Sequence, residues 1–349
     1  MENILKNYLF GSSVNPLFLT GDALTTLKMF PDSSIDCCIT SPPYWQKRQY
    51  AGGGIGLEPQ YSDYIERIVC VCMEIYRVLK PAGSLWLNIG DTYLNKCLLN
   101  IPSRIAIRLT DNGWVLRNTI IWNKVKGGMD NTKDRLGNVY EPLFHFVKSN
   151  RYYYDVDSIR NTPQTAKIVN GAVVSATGVT GINYRRKIEL STELTDEQKK
   201  NAFAALDEVL SDLRKGVISD FRMVIRGAQR TTHSDSEKLS GRAKELHEKG
   251  YYFLKYNPKG SKPNDIWDII PEDSQGRTQH FAPYPEDLCR NPIILTCPSN
   301  GIVLDPFVGT GTTCLVAQQL MRKSIGIDIA QDYITAASKR CEKDREGIA

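Results

Sequence analysis

What this chain lacks narrows it first. Its 349 residues include four histidines and nine cysteines, and no two cysteines stand in a C-x-x-C pair. Reduced, mostly buried thiols are expected, and a zinc site is not. No apolar run reaches the ~18 residues of a membrane span. Residues 1–15 lack the basic start and continuous apolar core of a signal peptide, so a soluble intracellular protein is expected. The glycine turn Gly309-Thr310-Gly311-Thr312-Thr313 carries no lysine, which rules out a phosphate-gripping P-loop. Cys314 stands where a dinucleotide fingerprint needs its third glycine.

Net charge is small as well, only +5. Its location is informative. Residues 151–265 hold 20 Lys/Arg against 15 Asp/Glu, and the other 24 basic and 24 acidic residues cancel. The whole excess sits in one block, which reads either as a polyanion-facing surface or as a solvated lysine-rich face.

Along the chain, Leu17–Asp22 reads as a strand ending in a Gly-Asp turn, and residues 35–40 as the next strand. Apolar residues at 64, 65, 68, 69, 72, 75, 76 and 79 keep helical spacing, and Lys80-Pro81-Ala82-Gly83 is expected to stop that helix. A strand follows at 84–89, a helix opens at Pro102, and strands lie around 115–122 and 143–147. Strands alternating with helices predict a doubly wound, mostly parallel α/β sheet. The pattern breaks after Asp157. Residues 161–183 read as an irregular loop or hairpin, Thr195–Gln198 as a capping box opening a helix, 221–226 and 242–249 as helices, and 251–256 as a strand. Three segments result: 1–157, an inserted module at 158–264, and 265–349, where the α/β pattern resumes.

Two stretches carry chemistry. The buried strand at 35–39 runs into Thr40-Ser41-Pro42-Pro43-Tyr44-Trp45, a stiff loop at a strand's carboxyl end, where open α/β sheets bind ligands. The prolines offer carbonyls without N–H donors, Ser41 adds an acceptor, and Tyr44 and Trp45 add flat faces. The loop is a socket for a planar group bearing an amine. Near the other end, the strand Gly301–Asp305 enters Pro306-Phe307-Val308-Gly309-Thr310-Gly311-Thr312, a helix follows, and the next strand closes on Asp328-Ile329. That layout suits a nucleoside whose ribose meets Asp328 and whose charge is positive beside Asp305. S-adenosylmethionine has a ribose, no phosphate, an ammonium and a sulfonium.

Together these motifs resemble the β-class DNA amino-methyltransferases, in which the catalytic motif precedes the target-recognition region and the cofactor motif comes last. The resemblance covers most of 17–157 and 264–335. It implies a seven-stranded class I methyltransferase sheet and binding of S-adenosylmethionine. The cofactor residues would be Thr40, Asp305, Pro306, Phe307, Gly309, Thr310, Gly311, Thr312, Asp328 and Ile329, with Asp22 and Ala23 against the adenine. Phe281 and Pro283, in His280–Leu288, would pack on the methionine moiety. Trp122, Lys124, Arg135 and Glu141 fall in the family's target-base region.

The implied reaction extrudes a nucleotide from duplex DNA, stacks it on Tyr44, and aims its exocyclic amine through Ser41 and the Pro42 and Pro43 loop. Trp45 and Trp122 read as pocket walls or as core tryptophans. Arg222, Arg226 and Arg230 are candidates for reading base edges. No Pro-Cys dipeptide exists, so methylation of a cytosine ring carbon is rejected. Serine at position 41 leans to cytosine N4 over adenine N6. A non-catalytic cofactor-binding regulator and an RNA methyltransferase are the alternatives. The partner expected is double-stranded DNA, with or without a cognate restriction endonuclease acting separately; no membrane is involved.

Overall fold

Ile35–Thr40 is buried at all six positions, as a strand covered on both faces must be, and it takes the middle of the main sheet. The computed structural model describes residues 2–47, 54–126, 132–170, 172–176, 178–179, 181–228, 241–271 and 284–348. They form two units, 1–158 with 264–349, and 159–263.

In the first unit the sheet order is Leu17–Thr20, Lys323–Asp328, Ile302–Asp305, Ile35–Thr40, Leu79–Asn88, Tyr140–Val147, Val115–Asn123, Ile266–Asp268. Eight strands pair, one more than expected. The extra strand is the short Ile266–Asp268, added parallel to Ile121–Asn123. Only Tyr140–Val147 runs against its neighbours, so its first residues share an edge with the carboxyl ends of the rest. The two chain segments meet where Ile302–Asp305 pairs with Cys37 and Cys38. The Asp36 carboxylate stitches that seam, accepting from the Ile302 amide and from Lys80 Nζ at 2.9 and 2.8 Å.

The predicted amphipathic helix spans Tyr61–Val78. Lys80–Gly83 does not follow it as a stop; those residues already belong to the strand Leu79–Asn88. Gly83 is what lets them pair, since a Cβ there would lie 2.9 Å from the Asp36 carbonyl oxygen. The helix at Pro102 spans Ile101–Asp111. A further helix, Glu2–Phe10, ends where Lys323 Nζ donates to the Leu9 and Gly11 carbonyls.

In the second unit the capping box forms as read, with Thr195 and Gln198 exchanging hydrogen bonds at the start of Asp196–Arg214. Residues 161–183 contain the hairpin Lys167–Val169 with Ala172–Val174. The helix expected at 221–226 is instead the strand Asp220–Ile225, antiparallel to Tyr251–Tyr256. Its period is two: Phe221, Met223 and Ile225 enter one apolar cluster, while Val224 enters another with Leu246 and Tyr252. A short run buried on both sides carries no helical stripe to find. Phe221→Ala should therefore destabilise this unit by about 3–5 kcal/mol in urea melts. The exposed Arg222→Ala should stay within about 0.5 kcal/mol. Equal effects would contradict the strand.

Candidate active site

The carboxyl edge of the main sheet gathers Gly21 and Asp22, Asp328, Asp305, Ser41, Asn88 and, from the reversed strand, Glu141. Proximity on this edge follows from strand order, since these residues are far apart in the chain.

At its centre, Tyr44 Oη donates to Glu141 Oε2 at 2.7 Å and lies 3.1 Å from Asn88 Oδ1. Ser41 Oγ is 3.2 Å from the same Asn88 oxygen and 3.3 Å from Tyr44 Oη. Asn88 Nδ2 faces Glu141 Oε2 at 3.3 Å and the Pro142 carbonyl at 3.2 Å. Both of those partners can only accept, so the amide must present its nitrogen to them and its oxygen to the two hydroxyls. Tyr44's single proton goes to Glu141 Oε2, the shorter of its two contacts. Ser41's proton then goes to Asn88 or to Tyr44 Oη. Either way it is spent inside the network, and the lone pairs of Ser41 are what a ligand meets.

The ring of Tyr44 is fixed as tightly as its hydroxyl. A Cβ on Gly90 would lie 2.5 Å from it. Burial and the neighbouring Glu141 push the phenol well above its usual range, so it stays a donor. Lys124 Nζ completes the network on Glu141 Oε1 and sits 4.9 Å from the Trp122 ring centroid. Beneath Ser41, burial raises the Cys37 thiol to about 12 and holds Cys38 well above the usual thiol range. Neither supplies a thiolate.

On the cofactor side, Gly309 and Gly311 adopt φ of 51° and 84°, and a Cβ on Gly311 would meet Ala337 at 2.8 Å. Glycine is required for the turn to close on that helix. Asp328 is held by the amides of Gly309 and Ala330, at 3.0 and 2.9 Å, and burial raises its carboxyl above the usual range. Two amide bonds leave it acceptor capacity for a pair of hydroxyls. The strand pairing Thr20↔Asp328 brings Gly21 and Asp22 alongside, Ala23 is buried, and Ile329 is exposed. Phe307 is half-buried against the core. Asp22 caps its own short helix through the Thr25 amide at 2.9 Å.

Several expected residues have other work. Asp305 does not face a cationic ligand; its carboxylate is 1% exposed and takes hydrogen bonds from Thr40, Thr313, Tyr284 and the Phe307 amide. Thr40 is thereby buried too, and Thr312 accepts from Arg340 at 2.8 Å; Pro306 is buried and Thr310 half-buried. The Pro43 carbonyl is taken by Tyr64 Oη at 2.9 Å. Trp45 and Trp122 are core tryptophans, their indoles donating to the carbonyls of Glu58 and Ile269. Arg226 is a strut between the carbonyls of Glu193 and His247, whereas Arg222 is exposed. Phe281, Pro283 and Arg230 lie outside the described residues. Asn88 was not expected at all, and Glu141 only as part of a region; a loop motif read alone does not show what a distant strand brings to it. Among the described residues no cluster of His, Cys, Asp or Glu could hold a metal ion, and no helix is long and apolar enough to cross a membrane.

Sheet and carboxyl edge together have the class I methyltransferase arrangement. The chain belongs to the DNA methylase family acting at N6 or N4, whose family model matches residues 35–339. Among relatives, the Type II methyltransferase M.SfiI of Streptomyces fimbriatus is 33% identical over 376 aligned residues, covering 90% of this chain and 88% of its own. M.SmaI of Serratia marcescens is 27% identical, covering 94% and 91%. The solved PvuII DNA methyltransferase (cytosine-N4-specific) superposes with a TM-score of 0.57 at 17% identity, covering 96% of this chain and 92% of that one. A putative DNA modification methylase from Thermus thermophilus, complexed with S-adenosyl-L-methionine, gives 0.51 at 20%, covering 95% and 96%. At these identities the two structures establish the fold.

Gly90→Ala should force the Tyr44 ring aside and cut methyl transfer to DNA roughly tenfold or more, since about an ångström of misplacement costs far more in rate than in stability. Unchanged transfer would show that the ring position is immaterial.

Proposed function

We propose that this chain transfers the methyl group of S-adenosylmethionine to the exocyclic N4 amine of a cytosine extruded from duplex DNA. The observation that carries this reading is Ser41 Oγ lying 3.2 Å from Asn88 Oδ1, an acceptor for its proton, which leaves the serine's lone pairs beside a fixed aromatic face. The amine of cytosine is a poor nucleophile because its lone pair is delocalised into the ring. An acceptor at Ser41 draws one N–H toward itself and favours the pyramidal amine, whose lone pair then points away from the protein's acceptor. Serine at position 41 supports cytosine. The chain's contribution is orientation, with no covalent intermediate, and the departing proton goes to solvent after transfer. Protonated, buried Cys37 and Cys38 speak against a thiolate route to the ring carbon.

S-adenosylmethionine, when bound, supplies an electrophilic methyl carbon on a sulfonium. Asp328 would hold its ribose hydroxyls, Asp22, Ala23 and Ile329 would flank its adenine, and the turn from Pro306 to Gly311 would pass beneath the rest. The unit at 159–263 would choose the DNA sequence. A cleft of about 490 Å³ in it carries Arg186 and Lys187 on its wall, which suits backbone contacts.

Asp328→Ala should weaken cofactor binding by roughly 1.5–3 kcal/mol, measured calorimetrically. In the wild type the ionised carboxylate is the acceptor and its pKa is raised by burial. Cofactor affinity should therefore fall as pH drops, starting at a higher pH than an ordinary aspartate would give. Asp328→Asn should bind weakly with a flat profile. An affinity unchanged in Asp328→Ala would remove the ribose assignment.

The reaction itself is tested by digesting methylated duplex DNA and identifying the nucleoside by mass spectrometry. N4-methylcytosine is expected, and N6-methyladenine would overturn the choice of base. Under single-turnover conditions Ser41→Ala should slow transfer more than it weakens DNA or cofactor binding. A Ser41→Ala variant equal to wild type would remove the role given to the network.

A further inference from the structure

A few residues beyond Asn88 the chain leaves the sheet edge as a small hairpin, Tyr93–Leu94 paired with Cys97–Leu98. Asn95 and Lys96 form its turn, with φ of 51° and 66°, as a two-residue hairpin with the strand twist requires. All four paired residues are exposed; Tyr93, Leu94 and Leu98 are 37%, 42% and 37% exposed. A two-stranded ribbon with no fully buried side chain is marginal in water. This one is pinned at its base, where Asp91 Oδ1 accepts from the amides of Thr92 and Ile101 at 2.8 and 3.1 Å and the Leu99 amide donates to the Thr92 carbonyl at 3.0 Å. The facing segment 132–139 braces it: Lys96 pairs with Asp134 at 2.8 Å, and the Arg135 guanidinium stands 4.2 Å from the Tyr93 ring centroid. An exposed apolar hairpin, pinned and braced, is built to meet something.

Its place says what. Gly90, against which the Tyr44 ring lies, is three residues before Tyr93. Tyr140, 51% exposed, is the neighbour of Glu141. The hairpin therefore stands on the rim of the socket for the extruded base. Residues 93–98 and 132–136 carry three cations, Lys96, Lys133 and Arg135, against one carboxylate, Asp134, a balance that suits a polyanion.

We propose that this hairpin enters the duplex at the target pair, with Tyr93 and Leu94 occupying the room that the extruded nucleotide vacates. The inference rests on the reading of the chain as a base-extruding amino-methyltransferase. Opening a base pair leaves unstacked neighbours and an orphaned partner base, and apolar or aromatic side chains inserted between base steps offset that cost. The surplus of positive charge on this rim favours the flanking phosphates. Such a wedge matters only while there is a pair to open.

The test compares two substrates built on the methylated site once it is mapped: a fully paired duplex, and the same duplex with an abasic position opposite the target. The variant is Tyr93→Ser combined with Leu94→Ser, with thermal melting to check folding, and Tyr93→Phe as the conservative control. The double variant should lose roughly ten- to hundredfold in kcat/KM on the paired duplex. It should lose less than about threefold on the abasic one, and Tyr93→Phe should keep most activity on both. Equal losses on the two substrates, or none on either, would overturn the wedge. Failure of the parent reading looks different: the wild type itself would then methylate no exocyclic amine in the paired duplex.

Discussion

A single buried carboxylate holds the two halves of the site in one frame. Asp305 ends one strand, and the hydroxyls that converge on it come from Thr40, one residue before Ser41, from Thr313, two residues after Gly311 of the glycine turn, and from Tyr284. A lone carboxylate in that position would be costly; the hydroxyls and the Phe307 amide are what make it tolerable. Burial still wins, and the carboxyl stays above its usual range. Its contribution to stability is accordingly fullest below the unfolded carboxyl's pKa and declines as pH rises through the folded one. The gain is geometric: the loop that carries Ser41 and the turn from Pro306 to Gly311 cannot drift independently.

The same economy governs the socket. Reversing one strand, Tyr140–Val147, brings Glu141 and the Pro142 carbonyl to an edge otherwise made of carboxyl ends. These two acceptor-only groups set the orientation of Asn88, Asn88 or Tyr44 takes the proton of Ser41, and the polarity of the network is decided before any substrate arrives. Preorganised donors and acceptors of this kind need no rearrangement at the moment of reaction. Lys124 pairs with the other oxygen of Glu141, so it is tied to the network.

Much of this was legible in the sequence because it is local. Ser41-Pro42-Pro43-Tyr44 after a buried strand, the glycine turn before Asp328, Pro102 opening a helix and the Thr195 capping box all declare themselves within a few residues. What stayed hidden is what depends on partners far along the chain. Asp305 points inward because Thr40 and Tyr284 reach it. Trp45 is core because the Glu58 carbonyl takes its indole proton. Residues 221–226 extend because Tyr251–Tyr256 pairs with them, and so short a run does not say by itself whether it coils or extends. Asn88 and Glu141 lie 47 and 97 residues from the hydroxyls they organise, and no motif joins them to Ser41.

Whether Asn88 works through Ser41 is measured directly by a double-mutant cycle. Single-turnover transfer rates would be compared for the wild type, Asn88→Ala, Ser41→Ala and the double variant, at saturating cofactor and DNA. If the amide acts by taking the serine's proton inward, Asn88→Ala should slow the wild type but add almost nothing once Ser41 is alanine, a coupling of about 1 kcal/mol or more. Two losses that simply add would mean that Asn88 supports the fold alone and that Ser41's polarity is set elsewhere.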